Sequence, residues 1–345
     1  MNAMRPVWVH SSLRAQHQSL RRKESLHMGA IDHVFHYQGP KQAQLWLDVH
    51  RRHAPVSANH SFEDIFRRIA LQSAQELAGQ SVHVVALGPG GGEKEAWLLE
   101  ALRAAGCKLR YTPVDAGMEL ALQAAEAAAP FVDHEILPVV GDLSLMEELP
   151  GWLERYPAQE TRLYTAFGLS PNFLPSTLFN WLSGLMRERD VLLLSANLAP
   201  VDAPQNAPQN APQNAQDHYR AACEAILPQY NNPETLRWLG QVLADWGIQG
   251  LLEEPRFHLR PFENILGFCL QTKWLSDARF EWEDEPFQAR TGEVLQLFFS
   301  LRYTPEKLAE ALLSFGLRLG TGHTTPCLQE GVWQVHRNSP ERPRN

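Results

Sequence analysis

Between residues 62 and 196 the hydrophobic period of the chain switches repeatedly between that of a helix and that of a strand. FEDIFRRIALQSAQELAG repeats its apolar residues at three- and four-residue steps and reads as a helix, while SVHVVAL after it is a short apolar run and reads as a strand. The alternation continues through helix EKEAWLLEALRAAG, strand KLRYTPVD, helix GMELALQAAEAAA, strands EILPVV and RLYTAF, helix STLFNWLSGLMRE and strand DVLLLSAN. Strands separated by amphipathic helices need crossover connections, which are right-handed and leave neighbouring strands parallel. The expected fold class is therefore α/β, a mainly parallel, doubly wound sheet with helices on both faces. VHVVAL and DVLLLSAN are almost continuously apolar, as strands covered on both faces must be.

The sharpest punctuation follows that last strand. Three tandem Ala-Pro-Gln-Asn copies occupy residues 203–214, and proline at every fourth position forbids a helix. The stretch is expected to be a flexible loop over 203–215, either a tolerated surface expansion or a lid. Helical patterns return over 216–250, shorter strands rich in Phe and Trp fill 255–290, and EVLQLFFSLRY, PEKLAEALLSFG and GVWQVHR restore α/β character. The expected organisation is a loose basic tail over 1–28 and a Rossmann-like domain over 62–198, completed by 291–338. A second, smaller α+β domain is expected from 29–61 together with 199–290, and a short tail over 339–345.

The formal charge of −8 and the absence of a clustered basic segment give no footprint for nucleic acid. No apolar run approaches the roughly 20 residues that span a bilayer, so no membrane association and a cytoplasmic location are expected. Four cysteines, Cys107, Cys223, Cys269 and Cys327, lie far apart without metal-ligand spacing and are expected as reduced, packed thiols, with no metal site.

The chemistry concentrates at strand ends. Val85-Ala86-Leu87-Gly88-Pro89-Gly90-Gly91-Gly92-Glu93-Lys94 runs from a buried strand through a glycine turn into a helix, which lets backbone approach a ligand at the carboxyl end of the sheet. It is neither a Walker A sequence nor GxGxxG, so phosphate cradling is disfavoured. The next strand ends in Asp115, suited to a ribose diol, and the one after in Gly141-Asp142, where a carboxylate meets an adenine amino group. Each Asp alone is equally a turn or cap residue; the three sites at consecutive strand ends argue together.

These features resemble the S-adenosylmethionine site of class I methyltransferases, and LQLFFSL with VWQVHR resembles their closing antiparallel pair. An NAD enzyme shares the glycine turn and first acid but fits the second acid less well. LGPGGGEK, PVD and GD, with Asn172-Phe173-Leu174-Pro175, Tyr219 followed eleven residues on by Tyr230-Asn231, and Ser300-Leu301-Arg302-Tyr303-Thr304-Pro305-Glu306, are similar to the histidine-specific Nα-methyltransferases of ergothioneine biosynthesis over roughly residues 30–336. That resemblance implies S-adenosylmethionine as cofactor, with Gly88, Gly90, Gly91, Asp115 and Asp142 binding it and Lys94 near its carboxylate. It implies that Asn172 holds the substrate's α-amino and carboxylate groups and Tyr219 its carboxylate. It further implies that Tyr37 of Phe35-His36-Tyr37 faces the amine as the catalytic residue, and that Ser300 borders the side chain. Two positions depart from the family: Phe298 stands where a Glu grips imidazole, and Ala54 stands where a Tyr is expected.

The expected function is thus N-methylation of the α-amino group of an amino acid or related small amine, with an apolar or aromatic side chain favoured over histidine. Histidine itself is the alternative, and a non-catalytic S-adenosylmethionine-binding regulator is the alternative of another class. A monomer or weak dimer is expected. Read as residues alone, Tyr37, Tyr219 and Tyr230 are equally half-buried aromatics, Asn172 a helix-entry residue, and Phe298 equally core.

Overall fold

The computed structural model describes residues 6–53, 60–200 and 215–338. Ala54 and the repeats at 203–214, singled out above, lie outside the described residues. The larger sheet contains β1 (Trp8–Val9), β2 (Ser81–Leu87), β3 (Lys108–Asp115), β4 (Val139–Val140), β5 (Thr161–Ala166), β6 (Val191–Asn197), β12 (Leu317–Thr324) and β13 (Glu330–Arg337). Its eight strands run in the order β1-β4-β3-β2-β5-β6-β13-β12. β1 to β6 pair in parallel, and β13 runs antiparallel between β6 and β12.

The strand period of two sorts β2 onto two cores. Val85 and Leu87 pack on one face with Phe179, Leu182, Leu308 and Leu312, while Val84 and Ala86 pack on the other with Ile69, Leu98, Leu99 and Leu102. Both faces are thereby covered by helices, as the apolar runs required. Strand order reverses at β2, whose neighbours are β3 and β5, and doubly wound sheets bind ligands beyond the carboxyl ends of the strands at such a point.

A second, antiparallel sheet of β7 (Arg256–Phe262), β8 (Ile265–Lys273) and β11 (Val294–Arg302) runs in the order β11-β8-β7, beside the hairpin β9 (Ala278–Trp282) and β10 (Glu285–Ala289). Its apolar layer joins Leu295, Leu297 and Phe298 to Val34, Phe35, Trp238, Leu239 and Val242. The first turn of the helix Pro305–Leu313 is set by Thr304, whose side chain accepts the Lys307 N–H, and by proline at the first helical position.

Two expectations need correction. LQLFFSL pairs with β8 in the second sheet rather than with VWQVHR; the partner of β13 is LRLGTGHT. Both sides of β11 are apolar, with Leu301 in one core and Leu297 in another, so periodicity could not assign its sheet. β12 was obscured by its glycines, of which Gly322 is required: a Cβ there would lie 2.0 Å from the Trp333 ring. The basic N-terminal stretch, expected as a loose tail, instead forms β1, which extends the large sheet beside β4, and a helix, α1 (Ala15–His27). Its polar composition hid this order, because charged contacts to distant residues hold it: Arg22 pairs with Glu283, and Lys23 with Glu285 at 2.8 Å.

Candidate active site

The glycine turn leaves β2 at Leu87 and enters the helix Glu93–Ala104. Gly90 has φ +56°, and a Cβ on it would lie 2.4 Å from the Trp46 ring, so only glycine allows the helix Pro40–His53 to close over the turn. Trp46 is itself braced by His50, stacked at 5.0 Å, and burial lowers the His50 imidazole to about 4, leaving it neutral. Gly88 N–H donates to Val114 O at 2.8 Å, binding the turn to the neighbouring strand.

Asp115 ends that strand. Its Oδ2 accepts the Gly90 N–H at 3.2 Å and its Oδ1 the Gly117 N–H at 2.9 Å. Burial, at 5% exposure, pushes the carboxyl up to about 6 from 3.8, against the opposing pull of these hydrogen bonds. Glu95, which the sequence reading passed over, is buried behind it; Thr165 Oγ1 donates to Glu95 Oε1 at 3.0 Å, and burial pushes that carboxyl up to about 7. An acid in the first turn of a helix reads as an ordinary dipole partner, which is why it gave no signal.

A cavity of about 770 Å³ opens over the carboxyl ends of the strands. Of the expected site residues, Tyr37, Gly88, Gly90, Gly91, Lys94, Asp115, Asp142 and Asn172 line it. Asn172 is carried there by the loop after β5, which is pinned to β6: Gly168 N–H donates to Ser195 Oγ and Ser170 Oγ donates to Ser195 O, both at 2.8 Å. Asn172 Nδ2 donates to the Tyr37 hydroxyl at 3.2 Å. Burial, then the charge of Asp115, raises the Tyr37 phenol well above its usual range, so it stays protonated at neutral pH. Lys94 Nζ lies 3.6 Å from Glu330 Oε1 and 4.3 Å from the centre of the Phe66 ring.

Tyr219, Phe298 and Ser300 are placed elsewhere. The buried Tyr219 hydroxyl donates to Arg302 O and accepts the Leu266 N–H at 2.8 Å, so backbone uses its hydrogen-bonding capacity. Ser300 Oγ meets the Tyr230 hydroxyl at 3.1 Å, and Arg302 Nη2 donates to the same hydroxyl. The two sequence elements around Tyr219 and Ser300 are therefore joined as one hydrogen-bonded support. Phe298 is buried against Trp238, with ring centres 5.7 Å apart, and against His33 at 5.1 Å. A bulge between Gln296 and Phe298 shifts the alternation of β11, so Gln296 and Phe299 line the cavity instead. The sequence reading also missed Arg21, Trp46 and His33, all in the cavity wall.

Among the described residues, no group of three or more His, Cys, Asp or Glu could hold a metal ion, and no helix is long and apolar enough to cross a membrane. Cys107, Cys223 and Cys269 are buried thiols, whereas Cys327, expected to be packed, is exposed.

The residues present fit S-adenosylmethionine. A buried carboxylate, Asp115, stands beside the glycine turn, Asp142 lies in the same wall, and Lys94 is the cation nearest the turn in sequence. The volume lies within the range of small-molecule sites. The family model described as histidine-specific, S-adenosylmethionine-dependent methyltransferase matches residues 62–232. A search of curated proteins finds no match to the chain. Among solved structures, the chain is similar to the Burkholderia thailandensis 1,6-didemethyltoxoflavin-N1-methyltransferase with bound S-adenosylhomocysteine, at 12% identity over 86% of this chain and 87% of that one, TM-score 0.43. It is also similar to the magnesium protoporphyrin IX methyltransferase of Synechocystis PCC 6803, at 10% identity over 87% and 95% of the two chains, TM-score 0.43. The chain belongs to the S-adenosylmethionine-dependent methyltransferases, and the stretch that carries its glycine turn, Asp115, Asp142 and Asn172 is that of the histidine-specific family.

Proposed function

We propose that the chain methylates the α-amino group of an amino acid or a related small amine, with an apolar or aromatic side chain favoured over histidine. The observation that carries this reading is the Asn172–Tyr37 pair at 3.2 Å, in the same cavity as the glycine turn and Asp115. Bound S-adenosylmethionine supplies a methyl group on a sulfonium, an already activated leaving group. The protein's task is then to hold a neutral amine in line, because fixing two reactants in register accounts for much of such a rate. Asn172 offers an amide oxygen and a second N–H to the amino and carboxylate groups of an amino acid. Tyr37, protonated at neutral pH, orients the amine through its oxygen lone pair and is not the base; the amine enters already deprotonated.

The preference against histidine rests on the substrate end of the cavity. Phe298 and Ser300 do not line it, whereas Phe299, Ile31, Val34 and Phe173 do. The family match favours histidine as a second reading. Methyl transfer from labelled S-adenosylmethionine to a panel of amino acids, with mass-spectrometric location of the label, separates the two.

A further inference from the structure

Asp142 sits in a surround built largely by the N-terminal segment. Its Oδ1 accepts the Ser144 N–H at 2.9 Å and the Ser144 hydroxyl at 2.7 Å, and its Oδ2 faces the Arg21 guanidinium. β1 runs beside Val139–Val140, His10 N–H donates to Val140 O at 2.8 Å, and the Asp142 N–H donates to Ser12 Oγ at 3.1 Å. The approach is so close that a Cβ on Gly141 would lie 2.6 Å from His10 Cβ. From α1, Arg21 Nη1 also donates to Ser144 Oγ at 3.3 Å, while Nη2 pairs with Asp32. Arg21, Asp32, Asp142 and Ser144 all line the cavity.

A carboxylate offers about four lone-pair positions. Both on Oδ1 are taken, whereas Oδ2 has no hydrogen-bond partner among the described residues: one side of it faces the guanidinium, which leaves a lone pair on the other. The planar fork of arginine holds two carboxylates in a fixed relation, so it fixes the direction of that lone pair. We infer that Arg21 is a positioning residue for the cofactor, holding Asp142 so that its remaining lone pair accepts the exocyclic amino group of adenine. This rests on the S-adenosylmethionine reading of the cavity and adds residues 8–27 to the binding site. A purine with a carbonyl in place of the amino group brings an acceptor against the carboxylate at that position, and the hydrogen it gains sits on the neighbouring N1, out of line with the held lone pair.

The test is calorimetric titration of the full chain with S-adenosylhomocysteine and with S-inosylhomocysteine, in which that amino group becomes a carbonyl and N1 gains a hydrogen. Wild type is expected to prefer S-adenosylhomocysteine by about 30-fold, the worth of a hydrogen bond to a charged acceptor. In Arg21→Ala the preference shrinks to about threefold or less, because Asp142 is no longer held. A purely structural role for Arg21 weakens both ligands by the same factor and keeps the preference, which overturns the inference. Asp32→Asn guards against a variant that does not fold: it loosens the second anchor of Arg21 while still capping the turn at His33, and is expected to cut the preference by about threefold. An unchanged preference there also overturns the inference. Failure of the wild type to bind either ligand removes the cofactor reading as well, whereas tight binding of both without preference removes only the role of Arg21.

Discussion

Replacing Asp115 by Asn separates what this carboxylate costs the fold from what it does for the ligand. Its carboxyl is raised from 3.8 to about 6, and a shift of that size corresponds to a penalty of about 3 kcal/mol on the ionised form. The sign follows from proton linkage. The folded state holds the proton more tightly than the unfolded one, so the favourable contribution is complete below 3.8 and is lost as pH rises through about 6. At pH 8 the charge is a burden that Asn removes. Asn accepts only one of the two N–H groups now bound by the carboxylate, from Gly90 and Gly117, and the N–H left over costs about 1–2 kcal/mol. The net expectation without ligand is a gain of about 1 kcal/mol at pH 8, a rise on the order of 2–4 °C in Tm. At pH 4 that advantage disappears or reverses. Saturating S-adenosylhomocysteine, at about 100 times its Kd, stabilises the wild type by about 2.7 kcal/mol. Asp115→Asn is expected to lose nearly all of that shift. Differential scanning calorimetry at the two pH values, with and without ligand, reads every term. A ligand-free variant less stable than wild type at pH 8, or a retained ligand shift, refutes the reasoning.

Two further substitutions test the placements that differ from sequence expectation. Tyr219→Phe leaves the Leu266 N–H and the Arg302 carbonyl unpaired in the interior and is expected to cost about 1–3 kcal/mol in denaturant melts. Its amine KM is expected to stay within about twofold of wild type; a large KM rise without loss of stability would return Tyr219 to the substrate. Phe298→Glu buries a carboxylate against Trp238 and is expected to lower stability by about 3 kcal/mol or more without creating histidine turnover. A gain of histidine methylation in that variant would put position 298 at the cavity after all.

What was legible in the sequence was local. The glycine turn, Asp115 and Asp142 sit at or just past strand ends and Asn172 in the loop after β5, and their convergence follows once the strands are parallel neighbours. Phe298 and Ser300 failed for a different reason. Strict alternation puts them on one face with Gln296, but the bulge after Gln296 breaks that register, and a shift of one residue sends a side chain to the opposite face. Tyr219 is expected from its motif at the substrate carboxylate, yet its hydroxyl binds backbone, and a motif carries no information on which of the two it serves. The N-terminal segment was misread because Arg21 and Arg22 gain order only from Asp32, Asp142 and Glu283, and composition records no such partners.

The most direct measurement is transfer of a labelled methyl group from S-adenosylmethionine to histidine, tryptophan, tyrosine, phenylalanine and leucine at equal concentration, with the labelled atom located by mass spectrometry. The predicted result is label on the α-nitrogen of an apolar or aromatic amino acid, with weak or undetectable transfer to histidine. Preference for histidine by about a hundredfold or more would contradict the assignment of the substrate end, since apolar pockets discriminate by no more than about 10–200-fold and larger ratios, up to about 10⁴ or more, belong to pockets that hydrogen-bond a polar group. Label on no α-amine in the panel would contradict the proposed reaction itself.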